Sequence, residues 1–324
     1  MTPTIEPAVR HAILTVTPNP AIDVSGATPV VTPEHKLRCT DVRRDPGGGG
    51  INVARVLTRF GARCAALYPA GPNLGRLLRE LLDQEGVPSI PIDIAGETRE
   101  SFTVLEHSSG REYRFVLPGP QLAPGEWEAC LDGFASLDEA PAWVVGSGSL
   151  PAGVPQDFFA RLARVARDRG ARMVLDTSGP PLAAALEQGV YLVKPNLREL
   201  RELTGEALEA EADWVRAARS LVLVGKAEVV ALSLGHRGAL LATHDAVLRA
   251  PALQVDIAST VGAGDSFVAA MLWRLASGAS LEDAFRHGIA GGTAALLAPG
   301  TRLAFPQDTT RLARQVEVRA LQAG

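Results

Sequence analysis

Lysine is the scarcest charged residue in this chain. Lys36, Lys194 and Lys226 are the only three among 32 basic residues, so the place of each is more informative than a lysine usually is. Blocks of like charge are missing too. The net charge is −4, with both signs interspersed. That excludes the basic footprint of a nucleic-acid binder and leaves a small molecule as the expected partner. The three cysteines, Cys39, Cys64 and Cys130, are odd in number and scattered. Neither a disulfide framework nor a metal-ligand spacing is present, and a reducing cytoplasm is expected. No apolar run is long enough to span a bilayer. The opening Met-Thr-Pro-Thr-Ile-Glu-Pro has no apolar core of a secretory leader, so none is expected. Internal repeats and low-complexity tracts are absent. What remains is an ordinary globular composition, 46% hydrophobic and 21% charged over 324 residues. It is enough for one large α/β domain or two smaller ones.

The most informative stretch present is Ser259-Thr260-Val261-Gly262-Ala263-Gly264-Asp265-Ser266. After it, Phe267, Met271 and Leu275, with Val268 and Leu272 beside them, repeat at helical spacing. A turn of small residues therefore opens a helix, with Asp265 in or next to its first turn. Backbone N–H groups at such an end are unpaired, and the helix dipole adds partial positive charge. Glycines let a phosphate come close to that backbone. A carboxylate beside an anion site is out of place unless it takes a proton from something the phosphate will meet. Two readings stand: phosphoryl transfer to a hydroxyl with Asp265 as base, and a plain helix cap.

Residues 12–16 read as a buried strand ending at Pro18-Asn19-Pro20. Asp23 follows, either near sugar hydroxyls or in a solvated turn. Residues 28–45 are polar, proline-interrupted and weakly β-like, and they hold Lys36. Gly47-Gly48-Gly49-Gly50-Ile51-Asn52-Val53 precedes a helix whose apolar face is Val53, Val56, Leu57 and Phe60, with Gly61 as its stop. No Gly-Lys-Ser/Thr follows, so this is not a Walker A loop, and the dinucleotide spacing is missing as well. Two readings stand for the glycines: a plain flexible loop, or, placed directly before an amphipathic helix, a stretch that lets a ligand lie against the backbone with Asn52 in reach of it. Residues 64–69 read as a strand and 74–85 as a helix closed by Gly86. Residues 101–107 and 111–117 flank Ser108-Ser109-Gly110 as a hairpin. It breaks the strand–helix rhythm and suggests a lid. Arg99 and Arg114 flank or lie in it. Singly each reads as a solvated arginine; with Lys36 they form a set able to hold a phosphate.

Strands at 142–146, 172–175, 190–193 and 228–232 all end in polar residues. These are Ser147-Gly148-Ser149, Asp176-Thr177-Ser178, Lys194-Pro195-Asn196 and Ser233-Leu234-Gly235 with Gly238. Helices are expected over 157–168, 265–277 and 281–297. Glu199 opens a helix, either organising Mg²⁺ near nucleotide phosphates or compensating the helix dipole. Repeated strand–helix units imply a mostly parallel sheet covered on both faces, and the polar strand ends fall where such sheets bind ligands.

Taken together, four motifs give the chain a family likeness over essentially its whole length. They are Gly47 through Val53, Lys194-Pro195-Asn196 with Glu199, Ser233-Leu234-Gly235 with Gly238, and Ser259 through Asp265. The chain resembles the PfkB-type sugar kinases of the ribokinase-like superfamily. Within that family His35-Lys36-Leu37-Arg38-Cys39, Tyr113 through Gly119, Gly148-Ser149-Leu150-Pro151 and Gly300-Thr301-Arg302-Leu303 look closest to the minor bacterial 6-phosphofructokinases. The resemblance implies an α/β fold, a ribokinase-like three-layer sandwich with a mostly parallel central sheet and a small β-sheet lid. It implies one kinase domain over 1–324, with lid segments near 24–45 and 92–118 inserted in it. The implied reaction is ATP-dependent phosphorylation of fructose 6-phosphate at its 1-hydroxyl, a step of glycolysis. Tagatose 6-phosphate or fructose 1-phosphate as acceptor is the alternative, and a non-catalytic sugar-phosphate or nucleotide sensor the remoter one.

The same resemblance implies roles. Asp265 is the base, and the amides from Gly262 through Ala263 and Gly264 form the anion hole. Asp23, Gly48, Gly49 and Asn52 hold the sugar; Lys36, Arg99, Arg114 and Ser149 hold its phosphate, with lid residues of a neighbouring subunit able to contribute. Lys194, Asn196, Glu199, Ser233, Gly235 and Gly238 line the Mg–ATP side, with Glu199 on Mg²⁺ directly or through water. Ser259, Val261, Ala295, Ala298, Gly300 and Arg302 match a potassium-binding region, with serine at Ser259 where many members carry an acid. The glycine run lacks the lysine usual in kinases of fructose 1-phosphate or tagatose 6-phosphate, which favours fructose 6-phosphate. A homodimer joined through the lids is expected, without nucleic-acid or membrane partners.

Overall fold

Short apolar runs alternate with amphipathic helices along most of the chain, and the computed structural model, which describes residues 12–321, folds them into two sheets. The first seven residues, read above as lacking a leader, lie outside the described part. The chain begins with β1 (Ile13–Val16), β2 (Ala21–Thr28), β3 (Thr40–Gly47), α1 (Gly49–Arg59), β4 (Cys64–Ala70), α2 (Leu74–Gln84) and β5 (Ser89–Asp93). It continues through β6 (Arg99–Glu106), β7 (Arg111–Val116), α3 (Pro124–Ala135), β8 (Trp143–Ser147), α4 (Phe158–Asp168) and β9 (Arg172–Asp176). Next come α5 (Gly179–Leu186), β10 (Val190–Val193), α6 (Leu197–Thr204), α7 (Glu211–Leu223), β11 (Ala227–Ser233), β12 (Ala239–Ala242) and β13 (Val247–Ala250). The last elements are α8 (Ala263–Ala276), α9 (Leu281–Leu296), α10 (Pro306–Ala313) and β14 (Arg319–Leu321).

The large sheet has the order β14-β13-β12-β11-β10-β9-β8-β1-β4-β5. It is parallel from β11 to β5, and β12, β13 and β14 are added antiparallel at one edge. Successive side chains of a strand point to opposite faces, and the central strands are apolar on both. Ile13, Ala66, Val145, Val174, Leu192 and Val229 face the layer of α1, α2, α8, α9 and α10. Their neighbours Leu14, Leu67, Val144, Leu175, Val193 and Val230 face α3 to α7. Each fully buried Leu or Phe in these layers contributes about 1.5–3 kcal/mol of transfer free energy. The result is the expected three-layer sandwich.

The small sheet has the order β3-β2-β6-β7. It stands beside the carboxyl ends of β1 and β8, part of the crevice of an open α/β sheet: Arg99 at the start of β6 donates to the Asn19 carbonyl after β1, and Asn19 donates to Ser149 after β8. Its outer strands leave Val42, Phe115 and Val116 exposed, with Leu37 and Leu117 beside them. Helices α8 and α9 pack closely because α9 carries glycines: a Cβ on Gly291 would lie 2.5 Å from the Ala270 Cβ and 2.7 Å from the Ser266 carbonyl oxygen. That close pairing fixes the start of α8. Among the described residues no helix is long and apolar enough to cross a membrane.

Candidate active site

The turn before α8 is held by Gly262, whose φ is +72°. A Cβ there would sit 2.1 Å from Leu303, so strain and space both require glycine. Ser266 N–H is the first to bond within the helix, to the Gly262 carbonyl at 2.8 Å. The amides of Ala263, Gly264 and Asp265 therefore have no intrahelical partner and are free to meet an anion.

Asp265 lies beneath them, half-buried. Its Oδ2 accepts a hydrogen bond from Asn52 Nδ2 at 2.9 Å. Its Oδ1 would be 3.3 Å from a Cβ on Gly49, and that Cβ would be only 2.2 Å from the Ser147 hydroxyl. The glycine run is thus laid directly on the carboxylate, with no room for a side chain. Burial pushes the Asp265 carboxyl up to about 7, and the nearby Asp176 carboxylate pushes the same way. The Asn52 hydrogen bond and the Lys194 ammonium oppose them. Lys194, only 5% exposed, pairs with Asp176 at 3.1 Å. Burial works against its charge, but Asp176 and Glu199 outweigh that and hold the ammonium above its ordinary value.

On the lid side of Asp265 is a cavity of about 230 Å³. Asp23, Gly48, Gly49, Asn52, Arg99 and Arg114 all line it, joined by Ser101, Thr103 and Thr301. Burial raises the Asp23 carboxyl to about 6, although Arg55, Arg114 and Arg99 pull it down. Arg99 donates to the carbonyls of Leu117 and Asn19, both at 3.2 Å, while its buried Nε has no partner. Asn19 in turn donates to Ser149 at 3.1 Å. On the other side of the turn is a cavity of about 460 Å³. Lys194, Asn196, Ser233, Gly235, Gly238, Ala263 and Gly264 line it together with apolar residues. Asn196 bridges to Ser233 and caps α6 reciprocally with Glu199, both bonds at 2.9 Å. The first turn of α8 separates the two spaces and faces both.

Residues 17–308 match the family described as pfkB family carbohydrate kinase. The chain belongs to this family. The ATP-dependent 6-phosphofructokinase isozyme 2 of Mycobacterium tuberculosis is 47% identical over 302 residues, 93% of this chain and 89% of that one. The isozyme 2 of Escherichia coli is 42% identical over 301 residues, covering 93% and 97% of the two chains. The crystal structure of phosphofructokinase-2 from Escherichia coli in complex with potassium is 40% identical, with a TM-score of 0.90 over 94% of this chain and 98% of that one.

As a sugar kinase of the pfkB family, the chain brings most of the expected residues together, but three stand apart. Lys36 lines a separate surface depression with His35, Leu37 and Arg38, outside the lid-side cavity. Ser149 reaches that cavity only through Asn19 and Arg99. Glu199 spends one carboxylate oxygen on its own helix cap; its other oxygen lies 3.7 Å from Arg198. Around the expected potassium region the donors are hydroxyl and carbonyl oxygens, the right chemistry for a hard cation. Several are already engaged. Ser259 donates to Glu112 of β7 at 3.3 Å and accepts from the Val261 amide. The Arg302 carbonyl accepts from Arg59 at 2.7 Å, and the Ala295 carbonyl accepts from Ala298 at 3.1 Å. Asn19 and Arg55 are the residues that sequence reasoning missed; Asp176 and Ser147 were placed at ligand-facing strand ends by their position in the parallel sheet but were given no role.

Proposed function

We propose that the chain transfers the γ-phosphoryl group of ATP to the 1-hydroxyl of fructose 6-phosphate, giving ADP and fructose 1,6-bisphosphate. The observation that carries this reading is the place of Asp265: it lines the charged cavity, while the amides one and two residues before it line the apolar one. An acceptor hydroxyl and a donor phosphate can meet only there. Asp265 Oδ1 takes the hydroxyl proton as the oxygen bonds to the γ-phosphorus and the bond to the β-phosphate oxygen breaks. A carboxyl held near 7 suits a base at neutral pH. The Ala263, Gly264 and Asp265 amides stabilise charge on the transferring group. Asp23 and Asn52 hold the sugar, and Arg99 and Arg114 hold its phosphate, bidentate contacts that guanidinium favours.

Among the described residues no three acidic, histidine or cysteine side chains form a cluster able to hold a metal, so a divalent cation would enter with the nucleotide phosphates that supply most of its ligands. Glu199 would reach that Mg²⁺ directly or through water, and the ion would supply further charge neutralisation. Oxygens of the Val261, Ala298 and Gly300 region would hold a potassium ion, a reading that the Escherichia coli relative's complex with that ion supports. The exposed Phe115, Val116 and Leu117 give a second copy an apolar lid face to cover. A homodimer built that way brings Lys36 to its partner's phosphosugar. The three free thiols suit a cytoplasmic enzyme.

A coupled assay comparing kcat/KM for fructose 6-phosphate, tagatose 6-phosphate and fructose 1-phosphate tests the substrate. Fructose 6-phosphate is expected to be preferred, and a higher value for either of the others contradicts the assignment.

A further inference from the structure

Arg55 is 2% exposed, and it stands one helical turn after Asn52 in α1. Its Nε and Nη2 grip both oxygens of Glu85, at 2.9 and 2.5 Å. Asp45 stands farther off, 3.9 Å from Nη2. The remaining nitrogen, Nη1, points into the site. It donates to the Pro46 carbonyl at 2.9 Å, the Thr301 carbonyl at 3.3 Å and the Asn52 Oδ1 at 3.4 Å. Those three acceptors come from the lead-in to the glycine run, from the segment after α9, and from the side chain that holds Asp265.

An amide side chain has nearly the same shape when its oxygen and nitrogen are exchanged. What decides between the two orientations is the partner at each end. A guanidinium can only donate, so Arg55 accepts only the oxygen of Asn52 at its end. Nδ2 must then face Asp265 Oδ2, which it does at 2.9 Å. The reverse orientation would set the amide oxygen against a carboxylate. A charged group this deeply buried is costly without a counter-charge, and Glu85, more exposed at the far end, provides it.

We propose that Arg55, seated by Glu85, is a positioning residue for phosphoryl transfer: it fixes the Asn52 amide so that Asp265 Oδ2 is held and Oδ1 is left free for the proton. The inference rests on Asp265 being the base. A buried arginine that merely ties α1 to α2 would affect thermal stability and nothing else, so the test reads chemistry. Arg55→Lys keeps the charge but loses the fork. It is expected to lower kcat by roughly 10–100-fold, the usual cost of a small misplacement at a reacting group, with KM for ATP unchanged. The acid limb of kcat should move to higher pH, because Asp265 loses a hydrogen bond that favours its charged form. The groups facing Asp265 are Asp176 and Lys194 across the site, Asp23 on the lid side and Asn52; only the last changes its contact.

The decisive step is a cycle with Asn52→Ala. If Arg55 acts through Asn52, Arg55→Lys adds little in the Asn52→Ala background. An equal fold-loss in both backgrounds overturns the proposal. Where Arg55→Lys does not fold, Glu85→Gln, which keeps an acceptor for the guanidinium, carries the same cycle with the same two outcomes. Wild-type turnover by Asp265→Asn would instead sink the assignment of the base itself, so the two failures are distinguishable.

Discussion

On one side of Asp265 the walls are charged and made by the lid sheet and one helix: Asp23, Arg99 and Arg114 from the lid strands, and Asn52 from α1. On the other side they are apolar and made by helices and an edge: Ala252, Leu253, Val255, Phe267, Ile289 and Leu296. The charged side selects by fixed charge, which is strong where water is excluded. On the proposed reading the apolar side would select by shape, with Gly235 and Gly238 in its wall. A doubly anionic sugar phosphate suits the first and a flat nucleobase the second. The lesson is that one helix start serves both, and that the lid need close over only one.

The largest effect expected is at the shared wall. Asp265→Asn should lower kcat by roughly 10²–10⁴, the weight of a general base. Retained turnover would dissolve the comparison, since nothing would then join the two sides. Next, Arg99→Ala should raise KM for fructose 6-phosphate by about 10–100-fold, as loss of a charged hydrogen bond of roughly 1.5–3 kcal/mol does. KM for ATP should hardly move; an equal rise for both substrates would show that the sides are not separate. The mirror-image test is Gly238→Ala. Gly238 has φ +90°, and a Cβ there would lie 2.1 Å from the Ala250 carbonyl oxygen. The strain, about 1–3 kcal/mol, should appear as weaker ATP binding with KM for the sugar unaffected.

The smallest effect is on stability. The Asp265 carboxyl is raised from an ordinary 3.8 to about 7, so the folded state binds its proton more tightly than the unfolded chain does. Its contribution is therefore fully present below about 4 and lost as pH rises through about 7. Asp265→Asn should melt above the wild type at pH 8, and the gain should fade toward pH 5. A gain independent of pH would mean that the carboxylate is not strained by its surroundings.

Much of this was legible in the sequence because turn chemistry is local. The glycine run, Gly61, Gly86 and the Gly262 turn announce helix starts and stops, and the strands at 190–193 and 228–232 read as buried apolar runs. The hairpin around Ser108-Ser109-Gly110 also showed itself, by breaking the strand–helix rhythm. Other elements were harder to see. The edge strand β5 contains Pro91, β14 is only three residues long, and α3 and α5 have apolar residues without a clean helical period. In the site, Arg55 looks like a solvated charge until the fold buries it against Glu85, and Asp176, legible as a polar strand end, shows its partner Lys194 only in the fold. Lys36, by contrast, stood out in sequence because lysine is rare, yet its own chain does not bring it to the cavity. Under the proposed dimer its role would lie with the partner's site.

The central claim is that Asp265 joins two separately built binding sides and serves neither as a binding group. Calorimetric titration of Asp265→Asn with ATP, and separately with fructose 6-phosphate, tests it most directly. Both ligands should bind within a few-fold of the wild type while turnover is lost; loss of binding of either one would contradict the account.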